Sequence, residues 1–153
     1  MKYLILFSSI LFITSCTTID VFEKSKSFSD QSWNSNDTAS FSFEITDTTS
    51  FYNFYMILRH TEKYPYKNIW LELTVKDGVT PTTFKREFIL ADASKWLATA
   101  TVIDDIIDHR IIFNPEPIKL KKGIYSFTLK QIMRENPLPY ILSAGVRVQK
   151  IVK

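Results

Sequence analysis

Apolar and polar side chains alternate along much of this chain, and a period of two is typical of β-strands with one buried face. In the first such stretch, Phe41, Phe43 and Ile45 alternate with polar neighbours. Residues 51–59 are aromatic or aliphatic almost throughout, which predicts a central strand covered on both faces. The pattern predicts strands at residues 41–46, 51–59, 69–75, 84–90, 124–129 and 141–152.

Turn residues separate these strands. Asp-Thr-Thr-Ser at 47–50 predicts a turn, and Lys-Asp-Gly at 76–78 is a strong hairpin signal before a return strand. Gly145 lies inside the last strand, where a glycine marks a bulge or the close approach of another backbone. About seven to eight short strands at regular spacing predict an all-β fold, a single β-sandwich of the jelly-roll or immunoglobulin-like type.

Residues 25–40 are polar and rich in serine, but two aromatic residues interrupt them. A purely flexible tether would lack such side chains. We therefore predict that Phe28 and Trp33 insert into the core.

Two further segments do not follow the alternation. Within residues 95–113, the stretch 96–100 suits a strand, whereas 103–107 suits a helical turn. Residues 130–136 predict a short helix. That helix must end before Pro137, because a residue that precedes proline avoids the helical conformation.

The first 15 residues predict a signal peptide. Lys2 is followed by an apolar run that is too short to remain in a bilayer as a spanning helix, and Ile-Thr-Ser then precedes Cys16, the only cysteine. Ile-Thr-Ser-Cys resembles a bacterial lipobox, which implies that the Cys16 thiol receives diacylglycerol, that cleavage makes Cys16 the first residue, and that its amino group is usually acylated. The alternative is a soluble exported protein with a chance cysteine.

The chain thereby divides into three predicted parts. Residues 1–15 are the lipoprotein signal peptide, 16–20 are the lipid anchor and a short tether, and 21–153 are the β-sandwich domain. Two or three acyl chains hold a protein firmly on a membrane, so no transmembrane helix is needed. Thr17 follows the anchor in place of the aspartate that retains many bacterial lipoproteins at the inner membrane, which favours the outer membrane. No acidic cluster of the kind that sends some lipoproteins to the cell surface lies beside Cys16, so the periplasmic face is expected.

The amino-acid composition supports a single globular domain and argues against several classes of function. With 45% hydrophobic and 14% aromatic residues among 153, the chain can bury a sizeable core as one domain. A formal net charge of +3 is too small to indicate nucleic-acid binding. Three glycines, one cysteine and two histidines argue against glycine-rich phosphate loops, disulfide frameworks and Cys/His zinc sites.

Candidate chemistry is sparse. His60 lies at a strand end and His109 lies in the aspartate-rich segment 104–110, so each could be a base or a metal ligand. Adjacent aspartates point apart on a strand, and a solvated loop with local Asp–Arg pairing is the favoured interpretation. No Gly-x-Ser-x-Gly motif presents a nucleophile. We therefore predict no catalytic residue, no metal and no cofactor.

Two segments are candidate partner-binding surfaces. Residues 59–70 combine aromatic rings with hydrogen-bond donors, which suits sugar rings, peptidoglycan glycan or a partner protein's hot spot, although the rings could simply cap one end of the sandwich. Residues 131–139 form a stiff, partly apolar loop that would lose little entropy on binding, unless it only connects two strands. The candidate residues are Arg59, His60, Tyr64, Tyr66, Trp70, Arg134, Pro137, Leu138 and Pro139.

Three blocks of sequence, which include both candidate surfaces and the His109 segment, carry a recognisable pattern. With the lipobox they extend over the whole mature chain. The first block is 43–48 running on to 58–71, with the motifs Leu-Arg-His-Thr, Tyr-Pro-Tyr and Asn-Ile-Trp-Leu. The second is 105–111, with His-Arg. The third is 131–139 together with 145–148, with Gln-Ile-Met-Arg-Glu, Pro-Leu-Pro and Gly-Val-Arg-Val.

This pattern resembles the gliding-motility lipoprotein GldH family of the Bacteroidetes. The resemblance implies a lipoprotein needed for cell movement over surfaces, in an apparatus linked to type IX secretion, and it implies no enzyme activity. One departure is Ala-Thr-Ala at 98–100, where a glycine-containing turn is expected.

The expected role is therefore a scaffold or stabilising component of the gliding and secretion apparatus. The expected partners are other envelope lipoproteins of that apparatus and the membrane, reached through lipid such as palmitate on Cys16. Nucleic acid and a small-molecule substrate are not expected. The alternative function is a carbohydrate- or peptidoglycan-binding module.

Overall fold

The computed structural model describes residues 20–78, 80–93 and 95–151, and within them the chain is all-β, as predicted. The predicted signal peptide and Cys16 lie outside the described residues. The expected count of seven to eight strands is too low, because short strands also form between the long ones. The described strands are β1 (Asp20–Ser27), β2 (Ser32–Trp33), β3 (Ala39–Ile45), β4 (Phe51–Thr61), β5 (Asn68–Asp77), β6 (Pro81–Ile89), β7 (Ala91–Asp92), β8 (Lys95–Trp96), β9 (Ala100–Ile103), β10 (Ile106–Ile112), β11 (Ile118–Lys119), β12 (Gly123–Gln131), β13 (Leu138–Pro139) and β14 (Ile141–Ile151).

Two larger sheets carry the architecture, and the described strand pairs are antiparallel. The first sheet has the order β1-β14-β4-β10-β9, with β11 beside the start of β4, and the second has the order β3-β12-β5-β6. Two short pairs, β2 with β13 and β7 with β8, form in the connecting segments. β4 is therefore a central strand, as its apolar sequence predicts.

The core lies between the two larger sheets, because each presents the apolar face of its alternating strands to the other. Phe54 of β4 lies 5.2 Å from Phe127 of β12, measured between ring centroids. Phe22 of β1 and Phe43 of β3 make the same kind of contact at 5.1 Å. These contacts join strands that are distant in sequence, so one core serves both sheets.

The serine-rich segment is tied to this core, as predicted. Phe28 and Trp33 stack with their centroids 4.7 Å apart, and Trp33 is fully buried. The indole N–H of Trp33 donates to the carbonyl oxygen of Asp37 at 2.8 Å, which satisfies the buried polar group. Leu138 of β13 lies opposite Trp33 in β2. This segment is therefore part of the fold.

Two helical predictions are wrong. Residues 103–107 lie in the β9–β10 hairpin, whose turn contains Asp104 at a φ of +54°, a conformation that aspartate tolerates better than most residues. Residues 130–136 continue β12 as far as Gln131 and then form an irregular loop. The Gln131 side chain accepts a hydrogen bond from the backbone N–H of Met133 at 2.9 Å, in place of a helical carbonyl.

Two turns and one set of paired side chains test further predictions from the sequence. The hairpin at 76–78 joins β5 to β6, and Gly78 has a φ of +103° that favours glycine. A turn also forms at 97–100, where Ala100 N–H donates to the Leu97 carbonyl at 2.9 Å, so glycine is not required there. The Asp–Arg pairing expected near His109 occurs on a strand instead of a solvated loop.

Candidate functional site

The two candidate loops lie side by side, although they are far apart in sequence. They meet because β5 and β12 are neighbours, with Leu71 opposite Gln131 where β5 begins and β12 ends. A groove of about 370 Å³ lies between them. We call it the two-loop groove, and its lining residues are Tyr66, Asn68, Trp70, Ile132, Met133 and Arg134.

Hydrogen bonds connect the two walls of the groove. The backbone N–H of Ile132 donates to the Trp70 carbonyl at 3.0 Å, and the Trp70 N–H donates to the Met133 Sδ at 3.3 Å. The Tyr66 hydroxyl donates to Glu135 Oε2 at 2.6 Å, and this bond to a carboxylate raises the pKa of Tyr66. Tyr66 therefore stays neutral and remains a donor at neutral pH.

Gln131 shapes the second loop from inside the fold. Its side chain is fully buried, and its amide nitrogen donates to the Trp33 carbonyl and to Asn136 Oδ1, both at 3.2 Å. Because its side-chain carbonyl also accepts from Met133, both ends of the amide are satisfied. Sequence reasoning missed this role, since a single glutamine at the end of a strand carries no pattern.

The exposed candidate residues divide between the groove and its surroundings. Trp70 is 40% exposed and Arg134 is exposed, and both line the groove. Pro137 is exposed and Pro139 is half-buried, and both lie further along the second loop. Arg59 is exposed on β4 but does not line the groove, and its guanidinium pairs with an aspartate of β10 at 3.0 Å.

Three of the candidate side chains are core residues. His60 and Leu138 are fully buried and Tyr64 is 3% exposed. The Tyr64 hydroxyl donates to the Asn68 carbonyl at 3.0 Å, and burial raises the pKa of this tyrosine. These side chains support the loops from inside, and they are not accessible to a partner at the surface.

The flat shelf of three exposed rings that glycan binding requires is not formed by Tyr64, Tyr66 and Trp70. Tyr64 is buried, and its ring is inclined by 70° to that of Tyr66, with centroids 5.5 Å apart. The groove instead presents the exposed Trp70 beside the half-buried Tyr66, a thioether and a guanidinium. Such a set is typical of protein–protein interfaces.

His60 and His109 form a buried pair on neighbouring strands, and neither side chain is exposed. Their Nε2 atoms are 3.0 Å apart, and His60 Nδ1 lies 2.8 Å from the Thr61 carbonyl oxygen. That oxygen can only accept, so His60 Nδ1 carries a proton. In a neutral pair, His109 Nε2–H therefore donates to His60 Nε2. His109 Nδ1 is then unprotonated, buried and without a hydrogen-bond partner among the described residues.

Burial lowers the pKa of both histidines. For His60, the loss of hydration outweighs the hydrogen bond to Thr61, which acts in the opposite direction. The pKa of His109 is lowered to about 4, mainly by the loss of hydration and secondarily by the charge that His60 carries when protonated. The negative charge of Asp108 raises this pKa but is the weaker influence. Both rings are therefore neutral at pH 7. The Trp96 indole packs edge-on against His60 at 4.6 Å and helps to keep water out.

A hydrolase would require a histidine with a hydrogen-bonding partner and a cleft that admits the substrate, and the histidine pair meets only the first requirement. A histidine with a partner within hydrogen-bonding reach is present, but both rings are sealed from solvent, so a substrate cannot approach them. Sequence reasoning treated the two residues separately. Their contact is diagonal across two strands, with His60 opposite Ile107 and Leu58 opposite His109, and it depends on the register of β4 with β10.

Residues 20–78, 80–93 and 95–151 contain no group of three or more His, Cys, Asp or Glu side chains that could hold a metal ion. Within the same ranges, no helix has the length and apolar character needed to cross a membrane.

Comparisons with known proteins cover both the groove and the histidine pair. The family model of the GldH lipoprotein matches residues 20–148. The chain is also similar to the gliding motility lipoprotein GldH of Flavobacterium johnsoniae, with 27% identity over 157 residues, covering 95% of this chain and 94% of that protein.

Proposed function

Because this chain belongs to the GldH lipoprotein family, we propose that it is a lipid-anchored envelope lipoprotein that holds or stabilises other proteins of a gliding-motility and type IX secretion apparatus. The proposed anchor is acyl chains such as palmitate on Cys16, and the proposed location is the periplasmic face of the outer membrane. In this proposal the two larger sheets form one sandwich that serves as the scaffold, and the two-loop groove is the contact surface. The role is binding and not catalysis.

The two-loop groove is the observation that carries the proposal. Tryptophan, tyrosine, methionine and arginine are enriched at protein interfaces, and all four residue types converge here. Arg134 has no ion-pair partner among the described residues, so its charge is free to meet an acidic group. The hydrogen bonds between the walls preorganise the groove, which reduces the entropy lost on binding. We therefore propose a protein partner with apolar and acidic side chains.

The test is a pulldown of the tagged full chain from its own membranes after crosslinking, with the captured proteins identified by mass spectrometry. The variants are Trp70→Ala and Arg134→Ala. Truncating a hot-spot residue costs about 2 kcal/mol or more, which is about 30-fold in affinity. We expect both variants to lose the envelope lipoproteins that the native chain captures.

Two matched controls change exposed side chains elsewhere in the second sheet. Ile124→Ala removes an apolar side chain that is 68% exposed, and Lys85→Ala removes an exposed cation. Both should retain the captured proteins, and circular dichroism should show that every variant is folded. Unchanged capture by both groove variants would overturn the proposed contact surface. Capture of peptidoglycan fragments without any protein would replace the scaffold by the carbohydrate-binding alternative.

A further inference from the structure

A second concavity lies at the opposite end of the second sheet from the two-loop groove. It is a cavity of about 450 Å³ between the two larger sheets, within the usual size range of small-molecule sites. β5 runs from one site to the other, with Trp70 in the groove and Asp77 at the cavity. The seven residue-to-residue steps between these two positions span about 24 Å of strand.

The walls of this cavity are mostly apolar, and five aromatic rings contribute to them. Phe54 lies 5.2 Å from Phe127 and 5.6 Å from Phe113, measured between ring centroids, and all three rings are buried. Phe84 of β6 and Ile118 of β11 also line the cavity but are 37% and 42% exposed. An apolar ligand would remove this surface from water, which favours binding.

Two lysines give the cavity a cationic rim. Lys119 and Lys121 are exposed, and neither has an ion-pair partner among the described residues. Lys119 Nζ lies 5.3 Å from the centre of the Phe51 ring. Asp77 is a carboxylate in the same lining. Because the cations outnumber this carboxylate, charge complementarity favours an anionic head group on an otherwise apolar ligand.

The cavity lies at the end of the fold where the chain enters. Asp20 at the start of β1 lies opposite Gln149, and Gln149 lies opposite Asn53 of β4. β11 pairs with the same stretch of β4, so the strand order at this end is β1, β14, β4 and β11. Three spacings between neighbouring strands therefore separate Asp20 from β11, a distance of about 14 Å. The four residue-to-residue steps from Cys16 to Asp20 can span at most about 14 Å. A membrane that holds an acylated Cys16 is therefore close to the cavity.

We propose that this cavity binds a long-chain fatty acid taken from the membrane. The acyl chain lies in the cavity against its aromatic and aliphatic wall, and the carboxylate lies at Lys119 and Lys121. Lysine suits this role because it is a compact charge on a flexible stem. Each methylene group removed from water raises affinity about fourfold, so palmitic acid binds more tightly than lauric acid. The site goes beyond the proposed scaffold function, and it uses the lipid anchor only to explain why the membrane is near.

The test uses the full chain in phosphatidylcholine nanodiscs and a palmitic acid that carries a photoactivatable diazirine group. After irradiation, digestion and mass spectrometry locate the labelled peptides. We expect saturable labelling of peptides from residues 113–121 and around Phe84. Phe84→Asp places a charge in the lining and should reduce this labelling at least tenfold. Ile89→Asp changes an exposed apolar residue of the same strand outside the cavity and should leave labelling intact.

A second variant tests the head group without changing the apolar wall. The double variant Lys119→Glu/Lys121→Glu should reduce labelling by the acid at least fivefold and leave labelling by the matching diazirine alcohol unchanged. Lys63→Glu, an exposed lysine outside the cavity, is the charge control. Labelling that is dispersed over the surface or confined to residues 1–19 would overturn the proposal. Undiminished acid labelling of the double lysine variant would also overturn it, whereas the pulldown result does not depend on either outcome.

Discussion

His60 and His109 share one hydrogen bond in which the Thr61 carbonyl sets the roles. Because that oxygen accepts from His60 Nδ1, only His109 can donate between the two Nε2 atoms while both rings are neutral. A proton added to His109 Nδ1 would place a charge in the core without a hydrogen-bond partner. A proton added to His60 Nε2 would turn two donors toward each other while His109 keeps its proton on Nε2. At the scale of single residues, burial therefore favours the neutral form of both histidines.

Stability is expected to fall with acid through this pair. The pKa of His109 is about 4 in the fold against an ordinary 6.5, so the unfolded chain binds more protons between these values. The contribution is fully present above about pH 6.5 and is lost as the pH falls toward 4, by at most about 1.4 kcal/mol per pH unit for each proton. His109→Gln keeps an N–H donor for His60 and should lose less stability than the native chain between pH 7 and pH 5.

Urea unfolding at both pH values measures this difference. The carboxylates and His60 are present in both proteins, so the difference between the two profiles isolates the contribution of His109. Parallel profiles would show that His109 does not couple folding to pH.

At the scale of elements, β14 connects β1 to the rest of the first sheet, because it pairs with both β1 and β4. A Cβ at Gly145 would lie 2.3 Å from the Lys24 carbonyl oxygen and 2.7 Å from the Ser25 Cα. Both are backbone atoms, which cannot rotate away. The close approach predicted for Gly145 is therefore confirmed, and its cause is contact with the first strand.

Gly145→Ala should separate β1 from β14. We expect a loss of about 1–3 kcal/mol in the free energy of unfolding, the usual cost of an extra methyl group in a packed site. Hydrogen exchange should show the amides of β1 losing protection before those of β12. Ile124→Ala, on the exposed face of β12, should change stability by less than about 0.5 kcal/mol. Native-like protection of β1 in the glycine variant would contradict this account.

The whole molecule has two distinct ends. The second halves of β1 and β4 and the beginning of β5 lie toward the two-loop groove, whereas the opposite strand ends surround the apolar cavity and receive the chain at Asp20. An anchor on Cys16 would therefore direct the cavity toward the membrane and the groove away from it. That arrangement suits a tethered scaffold, because its contact surface stays accessible to other envelope proteins.

Cys16→Ser tests the anchor at this scale. It removes the only cysteine of the chain, so metabolic labelling with palmitate should be abolished. The variant should also retain its signal peptide, because lipoprotein cleavage follows modification of the thiol, and intact mass measures this. Thr17→Ser should be labelled and processed like the native chain. A native chain that takes up no palmitate, or a serine variant that still does, would contradict the anchor.

Six of the long strands were predictable from their own residues, β4 from its continuous apolar run and β3, β5, β6, β12 and β14 from the alternation of a half-buried strand. β1 and β10 were not predicted. The strands of two residues, such as β2 and β13, are too short to show any period and exist only because their partners hold them. The helix predicted at 130–136 is wrong for a related reason, because contacts with distant residues determine the backbone there. Its local sequence permits a helical turn, but the pairing of β12 with β5 and the buried Gln131 determine the backbone there.

The candidate site was likewise predictable where it depends on local sequence, and unpredictable where it depends on contacts between residues that are distant in sequence. Both loops could be recognised from their aromatic, basic and proline residues, which are local features. Their convergence into one groove, the burial of Tyr64 and the pairing of His60 with His109 depend on strand register. Register is set by the packing of two sheets against a common core, so residues far apart in sequence decide it together. The local sequence pattern was sufficient for the all-β class and six of the long strands, and only the packed sheets decided which side chains became surface and which became core.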